Sequence, residues 1–351
     1  MVMEEEEVIQ LPQLAKIESN NKSIAYIILM PNSVKNKQKN MPTCQTKLYG
    51  KSILEWVSNA CAEKPTIKEI ESNQTDIINI IKPDLTNSDW TIILYSDTPL
   101  VTSVVLDDAV KYAETKDLNV LRLERGYVCK TEYLKHTDFI YGMEEYKFNK
   151  QDFTQVITFA DCTRVSKILK QRIMDYYMEN GVQIIDPETT YIESSVSIGE
   201  GTIIYPSNII CGTTEIGDNV QLFGGNRILN SIISAEAKIE GSSIISSVIG
   251  SKSRIKNSVI GSDALIKSDC KIIDGASVKE SVVDEECKII GASVKGSYVN
   301  KNCKIYDGAR VCGEGGNIVL LNNVSVAENA VIARACEIKE GSKIGPGAII
   351  K

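Results

Sequence analysis

The feature that most constrains this chain is a large aliphatic residue that recurs every six positions in its second half. Two uninterrupted runs carry the step: Ile198, Ile204, Ile210, Ile216, Leu222 and Ile228, then Leu320, Val326, Ile332, Ile338, Ile344 and Ile350. A period of six fits neither an amphipathic helix nor a simple alternating strand. It is typical of short strands joined by tight corners, three to a coil, with one aliphatic side chain inward per strand. We therefore predict a parallel β-helix of hexapeptide repeats from about residue 198 to residue 350.

A second, smaller inward position supports the same prediction. Four residues after each aliphatic, the narrow interior leaves room only for a small side chain. The residues found there are Thr202, Val220, Ala264, Ala276, Ala309, Ala330, Ser342 and Ala348. Four cysteines also occupy this position, and we predict that they act as compact apolar fillers: Cys270, Cys287, Cys303 and Cys336. At about eight coils and ~4.8 Å per coil, the predicted stack is about 40 Å long.

Length and charge limit the remaining possibilities. The chain has 351 residues and a formal net charge of −7, which predicts about two domains. An acidic balance argues against nucleic acid or an anionic membrane as the main partner, because both would repel it. The acidic start, Met3 to Glu7, lacks the apolar segment of a secretory signal, and no apolar run is long enough to span a membrane. We expect a cytoplasmic protein with reduced thiols, and a disordered acidic tail over residues 1–22.

The first half has the rhythm of an α/β domain. Two apolar runs predict buried strands, and three amphipathic segments predict helices. The strands are Ile24 to Met30 and Trp90 to Tyr95, and the helices are Ser52 to Ala62, Ser103 to Glu114 and 164–180. Parallel strands covered by helices indicate a small doubly wound, Rossmann-like domain. In such domains ligands bind at the carboxyl ends of the strands.

Three segments resemble the bacterial bifunctional N-acetylglucosamine-1-phosphate uridyltransferase / glucosamine-1-phosphate acetyltransferase family. Asn180 to Ile192 resembles the junction between its domains. Tyr95 to Leu100 resembles its metal-binding segment, and Leu48 to Val57 resembles the first helix of its nucleotidyltransferase domain. The resemblance implies a shortened nucleotidyltransferase-like domain over 23–163, a connecting helix over 164–181 and a left-handed β-helix over 182–351. It also implies Mg²⁺ near Asp97 and a trimer.

The departures from the family pattern concern the groups that hold a nucleotide. The family's first strand ends in a glycine-rich loop whose amides bind phosphates, because glycine lets the backbone approach closely. Here Leu29 to Lys37 contains no glycine, and Pro31 removes an amide donor. The phosphate-binding lysine is replaced in Met41 to Thr43, and the base-reading segment is absent. Cys162 to Arg164 stands where the family has its second metal ligand.

Few candidate site residues remain. Asp97 is either a residual Mg²⁺ ligand or a structural aspartate at a strand end. Lys35 and Lys37, with Lys39, are either a nucleotide-binding cluster or a solvated basic loop. The family's catalytic base is a histidine on the β-helix. The single histidine of this chain, His136, lies in the first half instead, and we interpret it as a surface residue. Tyr298, Tyr306 and Arg310 lie on the β-helix, but corner or surface roles account for them.

Three hypotheses about function follow. The first is a catalytically degraded relative of sugar-phosphate nucleotidyltransferases, retained for regulation or scaffolding, as a homotrimer or in a hetero-oligomer with a paralogue. The second is an active UDP-N-acetylglucosamine diphosphorylase (uridyltransferase) that uses Mg²⁺ at Asp97 and binds a nucleotide sugar or sugar phosphate. The third is an unrelated acyl-carrier or saccharide-binding β-helix. Binding of UTP with Mg²⁺, lost in Asp97→Asn, would separate the second from the first.

Overall fold

The computed structural model describes residues 22–32, 41–71, 76–141, 144–147, 149–261, 263–314 and 316–351. The chain divides into two compact units, residues 1–171 and residues 172–351. The tail predicted to be disordered, apart from Lys22, lies outside the described residues, as do Lys35, Lys37 and Lys39. Of the helices in the described ranges, none has both the length and the apolar character that crossing a membrane requires.

The first unit is built on a five-stranded mixed sheet in the order β4-β1-β5-β7-β6. The strands of this unit, including the small hairpin β2–β3, are β1 (Ile24–Asn32), β2 (Lys47–Leu48), β3 (Lys51–Ser52), β4 (Thr66–Glu71), β5 (Trp90–Tyr95), β6 (Val120–Leu123) and β7 (Gly126–Lys130). Strand β1 lies parallel to β4 and to β5, whereas β7 lies antiparallel to both β5 and β6.

Helices cover this sheet, and the last of them runs past residue 171, where the first unit ends. They are α1 (Ile53–Asn59), α2 (Ile78–Ile81), α3 (Ser103–Thr115), α4 (Thr131–His136) and α5 (Phe159–Glu179), with short 3₁₀ turns at Lys82–Asp84 and Lys150–Phe153. A capping box starts α1, because Ser52 and Glu55 bond each other's backbone amides. Helix α5 begins five residues earlier than predicted. Thr158 and Asp161 form a similar reciprocal cap there, which satisfies amides at its first turn.

The predicted wholly parallel sheet is wrong at one edge. The two predicted strands and the α1 and α3 helices are confirmed, but β6 and β7 form an antiparallel hairpin that the sequence reading did not include. Only two residues, Glu124 and Arg125, connect these strands, and a connection that short can join only antiparallel neighbours. Gly126 is required at the turn because a Cβ there would lie 2.3 Å from the carbonyl oxygen of Ile93.

The second unit is the predicted parallel β-helix, and its strands form three sheets. We number these sheets face 1, face 2 and face 3 in the order in which the chain enters them. Face 1 has ten strands: Gln183–Ile184, Ile203–Ile204, Gln221–Leu222, Lys238–Glu240, Arg254–Lys256, Lys271–Ile273, Lys288–Ile290, Lys304–Ile305, Ser325–Val326 and Lys343–Ile344. Face 2 has ten strands: Tyr191–Ile192, Ile209–Cys211, Arg227–Leu229, Ser243–Ile245, Val259–Gly261, Ser277–Lys279, Ser293–Lys295, Arg310–Glu314, Val331–Arg334 and Ile349–Ile350. Face 3 has nine strands: Ser197–Ile198, Glu215–Ile216, Ile232–Ile233, Val248–Ile249, Leu265–Ile266, Val282–Val283, Ser297–Val299, Ile318–Leu320 and Glu337–Ile338.

The interior follows the predicted pattern. Ile216 is 3% exposed and Val326 is fully buried, and the small inward position is filled by buried residues such as Thr202 and Ala276. Cys270, Cys287 and Cys303 are buried there too, each with its thiol donating to a backbone carbonyl one coil further on. Prediction and structure agree because each inward position recurs in the same environment from coil to coil. The same type of side chain therefore fits that position in successive coils.

The coil count differs from the prediction. The first strands, at Gln183 and Tyr191, precede the start inferred from the aliphatic step, so the stack is longer than eight coils. Most coils are also shorter than eighteen residues: Ile233 pairs with Ile249 and Ile249 with Ile266, at separations of 16 and 17. Left-handed backbone at many corners, including Asn230 and Glu280, makes these shorter turns possible. The left hand of the β-helix and the predicted domain limits stay predictions.

Candidate functional site

The carboxyl edge of the first sheet holds the one sequence-predicted site residue of this unit that the structure describes, Asp97. Strand β5 ends at Tyr95, and the turn that follows is fixed by backbone bonds. The Ser96 amide donates to the Leu29 carbonyl at 2.9 Å, and the Val156 amide donates to the Asp97 carbonyl at 2.8 Å. These bonds hold Asp97 beside the end of β1, at the edge where ligands of α/β proteins bind.

Both oxygens of the Asp97 carboxylate already have partners. The Arg125 guanidinium donates through Nε to Oδ1 at 2.7 Å and through a terminal nitrogen to Oδ2 at 2.6 Å. The side-chain amide of Gln155 donates to Oδ2 at 2.7 Å. Such a two-pronged guanidinium–carboxylate pair is among the stronger protein hydrogen-bond arrangements. A metal ion at Asp97 would have to compete with these three donors for the carboxylate oxygens.

Arg125 is positioned by its surroundings as well as by its charge. It lies in the two-residue turn between β6 and β7, and its guanidinium sits 4.2 Å from the centre of the Tyr95 ring, a cation–π contact. Burial raises the pKa of the Tyr95 hydroxyl, so that ring stays neutral near physiological pH. The side chains of Asp97 and Arg125 are 19% and 27% exposed. Together with Gln155, these residues form the strand-end cluster.

Neighbouring positions add no obvious metal ligands. Across the described ranges, no group of three or more histidine, cysteine, aspartate or glutamate side chains is arranged to hold a metal ion. Cys162 is buried on α5, and Arg164 pairs with Asp161 of the same helix. Mg²⁺ at Asp97 stays a prediction, and the cluster as it stands joins a carboxylate to a guanidinium instead.

The segment that would start a phosphate loop is part of the sheet. Strand β1 continues through Pro31 and Asn32, which pair with Ile70 and Glu71 of β4. Their backbone therefore lies extended beside a neighbouring strand, and does not curl around an anion. The basic residues that follow, Lys35 and Lys37, lie outside the described residues, so their predicted nucleotide contact stays a prediction.

The other residues singled out by sequence do not converge. His136 is exposed, and its Nε2 lies 2.7 Å from the Glu132 carboxylate one helical turn away, which agrees with the predicted surface role. Tyr298, Tyr306 and Arg310 lie on face 3, face 1 and face 2 of the β-helix respectively.

The sequence patterns did not predict that Arg125 and Gln155 contact Asp97. A signal existed for Arg125, since Glu124-Arg125-Gly126 between two short apolar runs is a hairpin pattern with a cation at its tip. Gln155 had no such signal, because it follows a 3₁₀ turn and only the tertiary structure brings it 58 residues back to Asp97.

Comparison with known proteins agrees with the fold. The family model described as GlmU-like, C-terminal hexapeptide, matches residues 224–290 and 279–350. The bifunctional protein GlmU of Clostridium beijerinckii is 40% identical over 124 residues, which cover 35% of this chain and 27% of that protein. That of Caldanaerobacter subterraneus is 33% identical over 207 residues, covering 54% and 45%.

A longer alignment extends further into the first unit. The bifunctional protein GlmU of Acetivibrio thermocellus is 26% identical over 334 residues, covering 72% of each chain. The matches with higher identity span less than half of the relatives' own length. Together these comparisons show that the chain is similar to bifunctional GlmU proteins, and that its second unit matches the GlmU-like hexapeptide model.

Proposed function

We propose that this chain is a GlmU relative that no longer transfers nucleotidyl or acetyl groups by the family mechanism and acts as an oligomeric scaffolding or regulatory protein. The observation that carries the proposal is the strand-end cluster. The family resemblance implies a metal ligand at Asp97, but both oxygens of that carboxylate are hydrogen-bonded by Arg125 and Gln155.

The chemistry of nucleotidyl transfer explains why this matters. A transferring phosphoryl group needs a metal, cationic side chains and backbone amides acting together. In this chain a guanidinium takes the place beside the carboxylate, and Pro31 and Asn32 pair with β4 where the family has a phosphate loop. Acetyl transfer meets a similar difficulty, because His136 is exposed on α4 and bonded to Glu132.

The β-helix supplies the surface for assembly. Six consecutive coils of face 3 present an outward apolar side chain at the same register position, and we call them the apolar ladder: Ile232, Val248, Leu265, Val282, Tyr298 and Val319. Three of them, Ile232, Leu265 and Tyr298, are 43%, 36% and 45% exposed. Polar residues, Glu215 and Glu337, bound the ladder at its two ends. Such a contiguous strip favours burial against another subunit.

The proposed assembly is a homotrimer, or a hetero-oligomer with a paralogue, in the cytoplasm. Ten free cysteines support a reducing compartment. Light scattering should give three chain masses for the wild type at micromolar concentration. Leu265→Asp should give one chain mass, because a carboxylate would be buried in the contact. Ser277→Asp, which changes face 2, should leave the mass unchanged, and a monomeric wild type would contradict the assembly.

Nucleotide binding tests the loss of activity. Thermal unfolding followed with UTP or UDP-N-acetylglucosamine, with Mg²⁺ or with chelator, should show no ligand-dependent shift. Pyrophosphate release from UTP and N-acetylglucosamine 1-phosphate, and acetyl transfer from acetyl-CoA to glucosamine 1-phosphate, should both be at background.

One observation favours the alternative, an active uridyltransferase with Mg²⁺ at Asp97: this residue lies at the strand edge where α/β proteins bind ligands. That alternative predicts a Mg²⁺-dependent shift with UTP, lost in Asp97→Asn. Asp117→Asn is the matched control, because Asp117 pairs with Lys130 on the exposed surface. A shift that only Asp97→Asn removes would overturn the proposal.

A further inference from the structure

Face 1 of the β-helix carries a straight row of cations. In five consecutive strands the residue before the inward isoleucine is basic, and the register places these residues directly opposite one another. We call them the basic ladder: Lys238, Arg254, Lys271, Lys288 and Lys304. Adjacent strands lie ~4.8 Å apart, so the ladder extends about 19 Å along the β-helix. Two coils further on, Lys343 continues the same column after Ser325.

The charges of the ladder are not compensated by pairing. None of its five residues forms an ion pair or a side-chain hydrogen bond with another residue of the described ranges. Other lysines of the β-helix do pair, for example Lys256 with Glu240 at 2.9 Å and Lys301 with Glu285 at 2.6 Å. Like charges opposite one another on neighbouring strands destabilise a sheet. A row of five in a chain of net charge −7 is therefore a local feature that the composition does not explain.

The ladder is only one column wide. Exposed carboxylates border it at the preceding corner, since Glu236, Asp269 and Glu286 each lie two residues before a ladder residue. A planar anionic surface such as a membrane would meet these carboxylates together with the cations. A linear polyanion laid along the column would contact the cations and avoid the border.

The second outward column of face 1 has aromatic side chains before the ladder and on its last strand, with Glu240, Lys256, Ile273 and Ile290 between them. Tyr205 and Phe223, in the coils just before the ladder, stack with ring centres 5.1 Å apart and planes 18° apart. Tyr306 follows the inward Ile305 on the last strand of the ladder. The two columns are about 7 Å apart, because successive outward residues of one strand are two positions apart in the sequence. Proteins that bind single-stranded nucleic acid combine a row of cations with aromatic rings on which bases stack. Face 1 offers such rings at the two ends of the ladder, Phe223 before it and Tyr306 on its last strand.

We propose that face 1 binds a single-stranded nucleic acid, with the phosphates along the basic ladder and bases stacked on Tyr306 at one end and on the Tyr205–Phe223 pair at the other. The overall acidity of the chain argues against long-range attraction. At physiological salt, however, the field of distant charges is screened beyond about 8 Å, so a contact depends on the charges at the face itself. The proposal is independent of catalysis at Asp97 and of assembly through the apolar ladder.

The test uses the full chain and a fluorescein-labelled fifteen-nucleotide oligo(dT), with binding followed by anisotropy as salt is raised. Each phosphate contact on a single strand contributes about −0.7 to the slope of log K against log salt, so five contacts predict a slope of about −3.5. Lys271→Gln with Lys288→Gln removes two contacts, and the slope should fall to about −2. The same positions changed to glutamate should weaken binding at least tenfold at low salt.

Matched controls separate the ladder from general charge. Lys279→Gln with Lys295→Gln removes the same charge from face 2, and it should leave the slope unchanged. Tyr306→Leu should weaken binding about tenfold without changing the slope, because it removes stacking but no cation. Circular dichroism checks that each variant folds, which is expected since all the altered side chains point outward.

Several results would overturn the proposal. The first is that the oligonucleotide does not bind. The second is that the face 2 control lowers the salt slope as much as the ladder variant does. The third is that a duplex of equal length competes as well as the single-stranded oligonucleotide. Binding of the ladder to vesicles containing phosphatidylglycerol, or to a poly-glutamate peptide, as tightly as to the strand would also overturn it, because the recognised feature would then be negative charge alone.

Discussion

The two units of this protein differ in how their side chains are positioned. In the β-helix, equivalent residues recur coil after coil, and Ile239, Ile255 and Ile272 are all fully buried in the same environment. In the α/β unit each position is unique, and the Asp97 site depends on one hairpin turn and one glutamine distant in sequence. A repeated interior spreads stability over many similar contacts, whereas a unique site depends on single residues.

The largest effect on stability is expected from a substitution that disrupts the repeated interior at one coil. Ile272→Asp would bury a carboxylate and remove an aliphatic side chain, and we expect it to cost the β-helix more than about 4 kcal/mol. Ile273→Asp is the matched control, since the neighbouring side chain points outward and should cost less than about 1 kcal/mol. Urea unfolding followed by circular dichroism measures both, and equal losses would contradict the assigned inward register.

The next effect compares one glycine from each unit. Gly126→Ala should cost the α/β unit about 3 kcal/mol, because its Cβ would lie 2.3 Å from a backbone oxygen of Ile93. Gly296→Ala, at a β-helix corner with φ +58° and no atom within 4 Å, should cost about 1 kcal/mol for the left-handed backbone alone.

The two units can be followed separately in this experiment. Both tryptophans, Trp56 and Trp90, belong to the α/β unit, so tryptophan fluorescence in urea reports that unit. Gly126→Ala should therefore shift the fluorescence transition. A shift no larger than the one that Gly296→Ala produces in the circular dichroism transition would mean that the hairpin can move away from β5.

A smaller effect concerns the start of α5 and depends on pH. The Asp161 carboxylate accepts bonds from the amides of Ile157 and Thr158, from the Thr158 hydroxyl and from Arg164. The Thr158 hydroxyl is the largest cause of its strongly lowered pKa. A folded-state pKa below the unfolded value stabilises the fold above about pH 4, and this stabilisation is lost as pH falls through the folded pKa.

Asp161→Asn should therefore cost about 1 kcal/mol at neutral pH, the usual value of a helix cap, and progressively less in acid. Tryptophan fluorescence in urea at pH 7, 5 and 3 measures the difference from the wild type. A difference that stays constant across this range would show that the charge of Asp161 makes no contribution.

The smallest effect tests the repulsion within the basic ladder. Lys288 has a cation on the strand at each side, so Lys288→Thr should stabilise the β-helix by about 0.5 kcal/mol at low salt, and by less at high salt. Lys343→Thr, in the same column but opposite Ser325, is the control and should be neutral within experimental error. Loss of stability in Lys288→Thr would mean that the lysine stem contributes more through packing than its charge costs.

Sequence and structure agree best where a pattern repeats. The aliphatic step predicts the inward positions of the β-helix because the coil imposes the same environment each time, and the buried cysteines follow from the same rule. The pattern is less reliable for the length of each coil, since corners tolerate different numbers of residues when asparagine, aspartate or glycine adopts left-handed backbone. The register of the two ladders was present in the sequence, as a basic residue before successive isoleucines on face 1, but it becomes visible only when the coils are aligned.

The sequence by itself determined the β-helix, the apolar strands β1 and β5 and the absence of glycine from residues 29–37, because local composition and periodicity fix these features. Only the tertiary structure decided the antiparallel edge of the first sheet, the partners of Asp97 and the alignment of cations on face 1. The physical reason is that these depend on contacts between residues distant in sequence. Gln155 reaches Asp97, and Lys271 lies opposite Lys288, only after the chain has folded.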